Sequence, residues 1–396
     1  MPTASIPRTL QARIRLRALR YAFTLIGPSL ALVGFLGHGW WCWGLPLHGF
    51  VLIPILELIL PPKHMNLAED EATAAMADPL FDLLLYAIVP IQWALLVVFL
   101  FTVDEVGLST FETLGRVVSM GLLCGVYGIN VAHELGHRAT RWERDLSRAL
   151  LLSSLYMHFI IEHNRGHHRR VGTPEDPASA RFGENIYFFW VRTIVYSFIS
   201  AWRIEADRLK KEGVATFGAH NEMIRFLLIE VALLAVVFAF FGGYVMVCFI
   251  GAALIGILLL ETVNYIEHYG LGRVRNANGG YGRVQHYHSW NSDHPIGRLM
   301  LFELTRHSDH HWKASKKYQV LDSVQDGPQL PTGYPGMMIL SLIPPLWFAV
   351  THPLIRAMAA RHADLALAKG RANAANGPAY GGQRVPSRDG TGDERA

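Results

Sequence analysis

The chain has 396 residues, 51% of them apolar and 17% charged, with a formal net charge of +4 and three cysteines. A soluble chain of this length ordinarily makes two domains, but here the apolar residues gather in blocks of about 17–25, the length that spans hydrocarbon. Cys42, Cys124 and Cys248 each lie inside an apolar block and form no CxxC pair, which excludes a rubredoxin-like iron centre, a zinc ribbon or a thioredoxin motif. No GxGxxG follows a strand pattern, so no nicotinamide or flavin domain is expected, and any redox chemistry draws its electrons from another protein. No nucleic-acid partner is expected.

Residues 1–20 hold Arg8, Arg13, Arg15, Arg17 and Arg20 and no acid. The apolar segment that follows has no A-x-A cleavage site, so this reads as a basic cytoplasmic arm before an uncleaved anchor. Six spans are expected: Tyr21–Leu36, Trp41–Leu60, Leu80–Val103, Leu114–Ala132, Phe226–Phe241 and Tyr244–Tyr265. Trp40, Trp41 and Trp43 suit an interface belt, and Gly242-Gly243 a tight turn. The acidic loop Asp104–Glu112 reads as external, and the Arg- and Lys-rich segment His133–Arg225 as cytoplasmic. Both termini then face the cytoplasm. Ile186–Trp202 is apolar but carries Arg192, which disfavours a crossing and favours a helix at the interface. Met337–Val350 is interrupted by Pro344-Pro345 and reads as a docked or re-entrant piece. From about Ala372 the composition predicts a disordered tail. The fold class is thus all-α and integral to a membrane, with a basic arm (1–20), a six-helix domain with a histidine-rich cytoplasmic cap (21–353) and a C-terminal segment (354–396).

Nine histidines fall in four clusters at the ends of these blocks: His133 and His137 (HELGH), His163, His167 and His168 (EHNRGHH), His268 (NYIEHYG), and His307, His310 and His311 (RHSDHH). On the expected topology all four lie on the cytoplasmic side. Neutral imidazole is the commonest metal ligand. Nine exceed the four to six ligands that one ion takes and suit two. Residues four apart share a helical face, so His133/His137, His163/His167 and His307/His311 are each expected to grip one metal. The doublets His167-His168 and His310-His311 point in different directions and could serve two.

Glu134, Glu162, Glu267 and Asp309 lie beside these histidines and are assigned to holding the second ring N–H of the ligands. A bridging carboxylate from among them stays open, and Glu57 is a weaker candidate. His286, His288 and His294 could line the site. His38, His48, His64, His158, His220, His352 and His362 lack partners in sequence and are read as structural. HELGH also matches the zinc-hydrolase HExxH, with Glu134 as general base. One zinc needs only three protein ligands, which leaves six clustered histidines without a role. A metal transporter would place its sites near the midplane on broken helices rather than at helix ends.

The strings HELGHR (133–138), EHNRGHHRRVGT (162–173), NYIEHYGL (264–271), HSWNS (288–292) and RHSDHH (306–311) resemble bacterial alkane 1-monooxygenases, within the membrane non-haem diiron desaturases and hydroxylases. The resemblance runs from about Tyr21 to Pro353. It implies six transmembrane helices in the bacterial inner membrane and two iron ions held by the nine histidines. It also implies terminal hydroxylation of n-alkanes with O2, with electrons from rubredoxin, its reductase and NAD(P)H. Xylene-type aryl-methyl monooxygenases are the runner-up. An alkane offers no polar handle, so binding relies on apolar burial, about 0.8 kcal/mol per CH₂. A tunnel reached from the membrane lipid would present one chain end to the metals. Phe35, Trp43, Phe50, Leu58 and Tyr127 are its candidate walls. Arg169, Arg170, Lys313, Lys316 and Lys317 form a candidate docking face for an acidic rubredoxin or for anionic lipid.

Overall fold

A computed structural model of the chain describes residues 7–375. In order the helices are α1 (Arg8–Leu36), α2 (Gly39–Ile59), α3 (Glu69–Ala77), α4 (Leu80–Thr102), α5 (Thr110–Gly136), α6 (Arg141–Ser153), α7 (159–170), α8 (Ile186–Lys211), α9 (Glu222–His268), α10 (Pro295–Met300), α11 (His307–Trp312), α12 (Tyr334–Ser341) and α13 (Pro344–Ala375). Among the described residues the only strand pairings are two isolated bridges, so the class is all-α. The chain divides into a main unit up to Ala349 and a C-terminal unit from Val350. The second is helical as far as Ala375; the rest of the expected tail lies outside the described residues.

Among the described residues five helices, α1, α2, α4, α5 and α9, are long and apolar enough to cross a membrane, where six spans were expected. The fifth and sixth expected spans fall within α9, whose 47 residues are interrupted at Gly242 (φ 82°, ψ 176°). At about 1.5 Å per residue, α9 is about twice as long as a 30 Å hydrocarbon core requires. Only glycine adopts that backbone conformation without a Cβ penalty.

The basic arm is helical: α1 is α-helical over Arg8–Leu19 and passes through a 3-10 stretch at Arg20–Leu25 into its apolar part, and its basic turns pair on and beside α3, Arg13 with Glu71 (2.5 Å) and Arg15 with Asp78 (3.1 Å). At the other end of the bundle Arg116, fully buried in α5, meets Glu105 (3.0 Å) and the carbonyl of Gly37 (2.9 Å). One guanidinium thereby ties the ends of α1, α4 and α5 together.

α5 and α9 pack backbone to backbone. A Cβ on Gly121 would lie 2.5 Å from Ile255, and one on Gly256 would lie 2.6 Å from Cys124 and 2.9 Å from the backbone of Gly125. Gly121 and Gly125 are spaced as in the small-xxx-small pattern of close membrane helix pairs.

The segment between the expected fourth and fifth spans is not merely a surface cap. α6 runs back along α5, with the Ser147 hydroxyl on the carbonyl of Ala132 (2.6 Å) and Ser154 on that of Cys124 (3.1 Å), at the middle of α5. Trp93 of α4 donates to the carbonyl of Ala149 (3.2 Å). The chain reverses at 154–158, and α7 climbs back toward the His133 end. Such a re-entrant hairpin is tolerated where protein covers its backbone. α8 extends beyond the expected Trp202. Its Arg192 is matched by Glu184 (2.6 Å) and by the carbonyls of Pro177 (2.9 Å) and Ser179 (3.1 Å). Pro344-Pro345 interrupts the apolar run as expected, since α12 stops at Ser341 and α13 begins at Pro344.

Candidate metal centre

The nine clustered histidines converge into two adjoining groups. His133, His137, His163, His168 and His310 form one, and His167, His268, His307 and His311 the other; within each, the candidate ligand atoms lie within 4.8 Å of one another. In the first, the Nε2–Nε2 separations are 2.9 Å for His133–His310 and for His163–His168, 3.1 Å for His137–His168, and 3.2 Å for His137–His163 and for His168–His310. In the second they are 3.3 Å for His167–His311 and 3.2 Å for His268–His307. The ring centroids of His168 and His311, one from each group, are 4.5 Å apart.

These separations fit metal ligation. A metal–imidazole bond of about 2.1 Å sets neighbouring ligand atoms about 3.0 Å apart at right angles and about 3.4 Å apart in a tetrahedron. Mutual hydrogen bonding cannot replace the metal, because a neutral imidazole has one N–H and one lone pair. Burial, followed by the neighbouring imidazoles, holds His163, His168, His307, His310 and His311 well below the ordinary histidine range and brings His137 to about 3. These rings are neutral at pH 7 and keep a lone pair for a cation. A donor set of imidazoles without thiolate suits iron among the first-row metals. The three cysteines are free and belong to neither group.

Local backbone form decides which histidine joins which group. His163 and His167 were expected to share a metal on α-helical spacing. Residues His163–His167 instead form a π-helical turn. The wider turn aligns residues about five apart, so His163 meets His168 and His167 swings to the other group. The doublets His167-His168 and His310-His311 each divide between the groups, while His133/His137 and His307/His311 stay together. A second π-helical stretch, Cys124–Ile129, precedes His133 within α5.

The acids beside the ligands are placed differently from the sequence expectation. Glu134 pairs with Arg138 (2.9 Å) and accepts from the amide of Tyr318 (3.3 Å). Glu162 pairs with Arg170 (2.5 Å), and Asp309 with Lys316 (2.6 Å), its other oxygen 3.7 Å from His286. These basic partners claim carboxylates that sequence proximity assigned to the ligands. Glu267 does reach a ligand: one oxygen accepts from Tyr334 (2.8 Å) and the other lies 3.1 Å from His307 Nε2, on the side that faces the group. The acid found on a ligand's second nitrogen is Asp176, 2.9 Å from His167 Nδ1, with Ser179 donating to it at 2.6 Å. Its only sequence signal was an acid nine residues after a ligand. Ser289 Oγ lies 3.4 Å from His268 Nδ1, and Asn291 accepts from the amide of Ser308 at the start of α11, so the HSWNS string braces two ligand-bearing elements. His286, His288 and His294 stand outside both nitrogen groups, and Glu57 accepts from the amide of Gly297 (2.7 Å).

An apolar cavity of about 90 Å³ lies beside the histidine groups, bounded by Phe50, Leu122, Tyr127, Leu259, Met300 and Met338. At one end Asn130, Leu260, Val263 and Leu304 also line a smaller pocket walled by His133, His163, His307 and Glu267. On another side Phe50, Leu122, Leu259 and Met338 are shared with an apolar groove that carries the exposed Ile339 and Leu342. Of the expected wall residues, Phe50 and Tyr127 line this cavity. Trp43 instead donates to the carbonyl of Phe111 (3.1 Å), Leu58 is 74% exposed, and Phe35 packs against Phe99. His48, read as structural, and Asn130, which carried no sequence signal, also line it.

The model of the Fatty acid desaturase family matches residues 112–341, which hold all nine histidines. The chain is 43% identical over 323 residues to alkane 1-monooxygenase 1 of Pseudomonas aeruginosa, covering 80% of this chain and 84% of that one. It is 37% identical over 333 residues to alkane 1-monooxygenase 1 of Alcanivorax borkumensis (83% and 82%). It is 29% identical over 350 residues to the hydroxylase component of the xylene/toluene monooxygenase of Pseudomonas putida (87% and 91%). The fold and the paired histidine groups therefore define a membrane enzyme of the fatty acid desaturase family with a two-metal site, and within that family the chain belongs to the alkane 1-monooxygenases.

Proposed function

We propose that this chain hydroxylates the terminal carbon of n-alkanes with O2, giving 1-alkanols, in the bacterial inner membrane. The observation that carries the reading is an apolar cavity that shares Asn130, Leu260, Val263 and Leu304 with a neighbouring pocket walled by candidate ligands from both histidine groups. The groups would hold two irons, through the five imidazoles of one set and the four of the other. When bound, iron would relay two electrons from the external donor to O2 and supply the oxidising power that breaks a methyl C–H bond, one oxygen atom going to the alkane and the other leaving as water. The protein supplies the rest. Leu122, Leu259 and Met338 offer an alkane only apolar contact, about 0.8 kcal/mol per buried CH₂. The restricted space beyond Leu260 and Leu304 admits a chain end rather than a mid-chain carbon, which makes position a matter of geometry. Asp176 holds His167 Nδ1 and leaves its Nε2 for metal. The buried carboxylate of Glu267 is a candidate additional ligand to the four-imidazole group.

Glu134 lies on Arg138 and the Tyr318 amide, which disfavours the HExxH hydrolase reading with Glu134 as base. In the membrane, α9 would supply two crossings hinged at Gly242, making six and setting both termini in the cytoplasm. An acidic rubredoxin would dock over the exposed Arg169 and Lys313 with Arg283. Arg170, Lys316 and Lys317 are already paired with Glu162, Asp309 and Asp82 and contribute less. The test is product analysis by gas chromatography–mass spectrometry, using membranes that hold this chain with rubredoxin, its reductase and NADH, fed octane and toluene together. Mainly 1-octanol is expected. Mainly benzyl alcohol would replace the proposal with aryl-methyl hydroxylation.

A further inference from the structure

Away from the histidines, a cavity of about 500 Å³ opens between the start of α6 and the start of α9. Four arginines line it, Arg141, Arg144, Arg148 and Arg225, against two carboxylates, Asp145 and Glu222. Both acids are engaged by Arg148, at 2.5 and 3.3 Å, Arg165 takes Glu222 at 2.8 Å, and Arg225 lies 3.8 Å from Glu222. The lining therefore keeps an excess of positive charge. Arg144 is oriented by donating to the carbonyl of Arg138 (3.0 Å).

The rest of the wall is apolar: Leu152, Phe226 and Ile229. Phe226 and Ile229 lie one and two turns into α9 from Glu222, so the apolar wall reaches about 10 Å below the guanidinium rim. On the same helix Leu228 (64% exposed) and Val231 (61%) face outward beside it. Trp142 is half exposed at the start of α6, the position of an interfacial tryptophan. A cationic rim above an apolar wall, opening where a spanning helix enters the bilayer, matches a molecule with an anionic head and a hydrocarbon tail.

We infer that this cavity is a binding site for an anionic phospholipid, its phosphate among Arg141, Arg144, Arg148 and Arg225 and its first methylenes along Leu152, Phe226 and Ile229. The site is separate from the metal centre and requires only that the chain span a membrane. Holding a lipid there would brace the re-entrant hairpin α6–α7, which carries three candidate ligands, against α9, which carries a fourth.

The test is native mass spectrometry of the full-length, metal-loaded protein in detergent. It is titrated with dioleoylphosphatidylglycerol, with dioleoylphosphatidylcholine or with inorganic phosphate. The wild type is expected to retain phosphatidylglycerol in preference to phosphatidylcholine. Arg141→Glu/Arg225→Glu should weaken phosphatidylglycerol binding by about tenfold or more, while Arg141→Lys/Arg225→Lys largely keeps it. Metal content of each variant reports folding. The surface pair Arg203→Glu/Lys211→Glu controls for overall charge and should bind as wild type. Equal retention of the two lipids, equal loss in the control pair, or no loss in Arg141→Glu/Arg225→Glu would overturn the site. Inorganic phosphate that binds alone with the same arginine dependence would overturn the lipid assignment.

Discussion

Removing the carboxylate of Asp176 should empty one metal position and spare the other. Asp176 lies 2.9 Å from His167 Nδ1 and accepts from Ser179, and His167 belongs to the four-imidazole group. With the carboxylate present, the ring is held with its proton on Nδ1 and its lone pair on Nε2, directed at His311 Nε2 3.3 Å away. In Asp176→Ala the ring can rotate or change tautomer, and a buried hydroxyl loses its acceptor. Loss of such an outer partner weakens metal binding by about 10- to 100-fold, or about 1.4–2.7 kcal/mol. The five-imidazole group takes none of its nitrogens from His167. Iron titration followed by plasma mass spectrometry should therefore show one tight and one weakened equivalent per chain. Glu134→Gln, which alters an acid held by Arg138 and the Tyr318 amide, should keep two tight equivalents. Two unchanged equivalents in Asp176→Ala would refute the positioning role, and loss of both would refute the division into two groups.

Further expectations follow from the same geometry. His163→Ala and His167→Ala, four residues apart, should weaken different metal equivalents; identical titration curves would contradict the π-turn assignment. Phe50→Ala removes the wall shared by the cavity and the outer groove and should shift product toward longer or bulkier alkanes, whereas an unchanged chromatographic profile would dismiss Phe50 as a boundary. Gly256→Val places carbon against Cys124 and the backbone of Gly125 and should destabilise the protein by about 1–3 kcal/mol, read as a lowered thermal midpoint in detergent. Without metal, stability should fall as pH drops below about 6.5. The unfolded histidines take up protons there, while His137, at about 3, and His163 and His168, which burial holds well below the ordinary histidine range, refuse them. Each such ring contributes at most about 1.4 kcal/mol per pH unit across that window. A thermal midpoint independent of pH between 7.5 and 5 would contradict this.

The apolar blocks and the nine histidines were readable from local patterns, whereas of the six expected spans the last two fall within the single long helix α9. Span length depends only on hydrocarbon thickness, and metal-ligand chemistry is carried by residue type. Other features were not readable. The segment that holds α6 reads as cytoplasmic from its charge, yet Ser147 and Ser154 lay it along α5 through hydrogen bonds to backbone carbonyls that the primary structure cannot announce. The acids Glu134, Glu162 and Asp309 neighbour ligands in sequence, but Arg138, Arg170 and Lys316 claim them.

Asp176, the acid found on a ligand's second nitrogen, lies nine residues from that ligand in sequence, outside any helical spacing. The amino-acid sequence by itself determined the all-α class, the membrane-length apolar helices and the complement of nine imidazoles, because these rest on composition and short-range periodicity. Tertiary structure alone decided which metal position each histidine faces, since one π-helical turn at His163–His167 exchanges a four-residue for a five-residue alignment. It also decided where the apolar cavity meets the histidines, because that junction is made by Asn130, Leu260, Val263 and Leu304 from three distant segments of the chain.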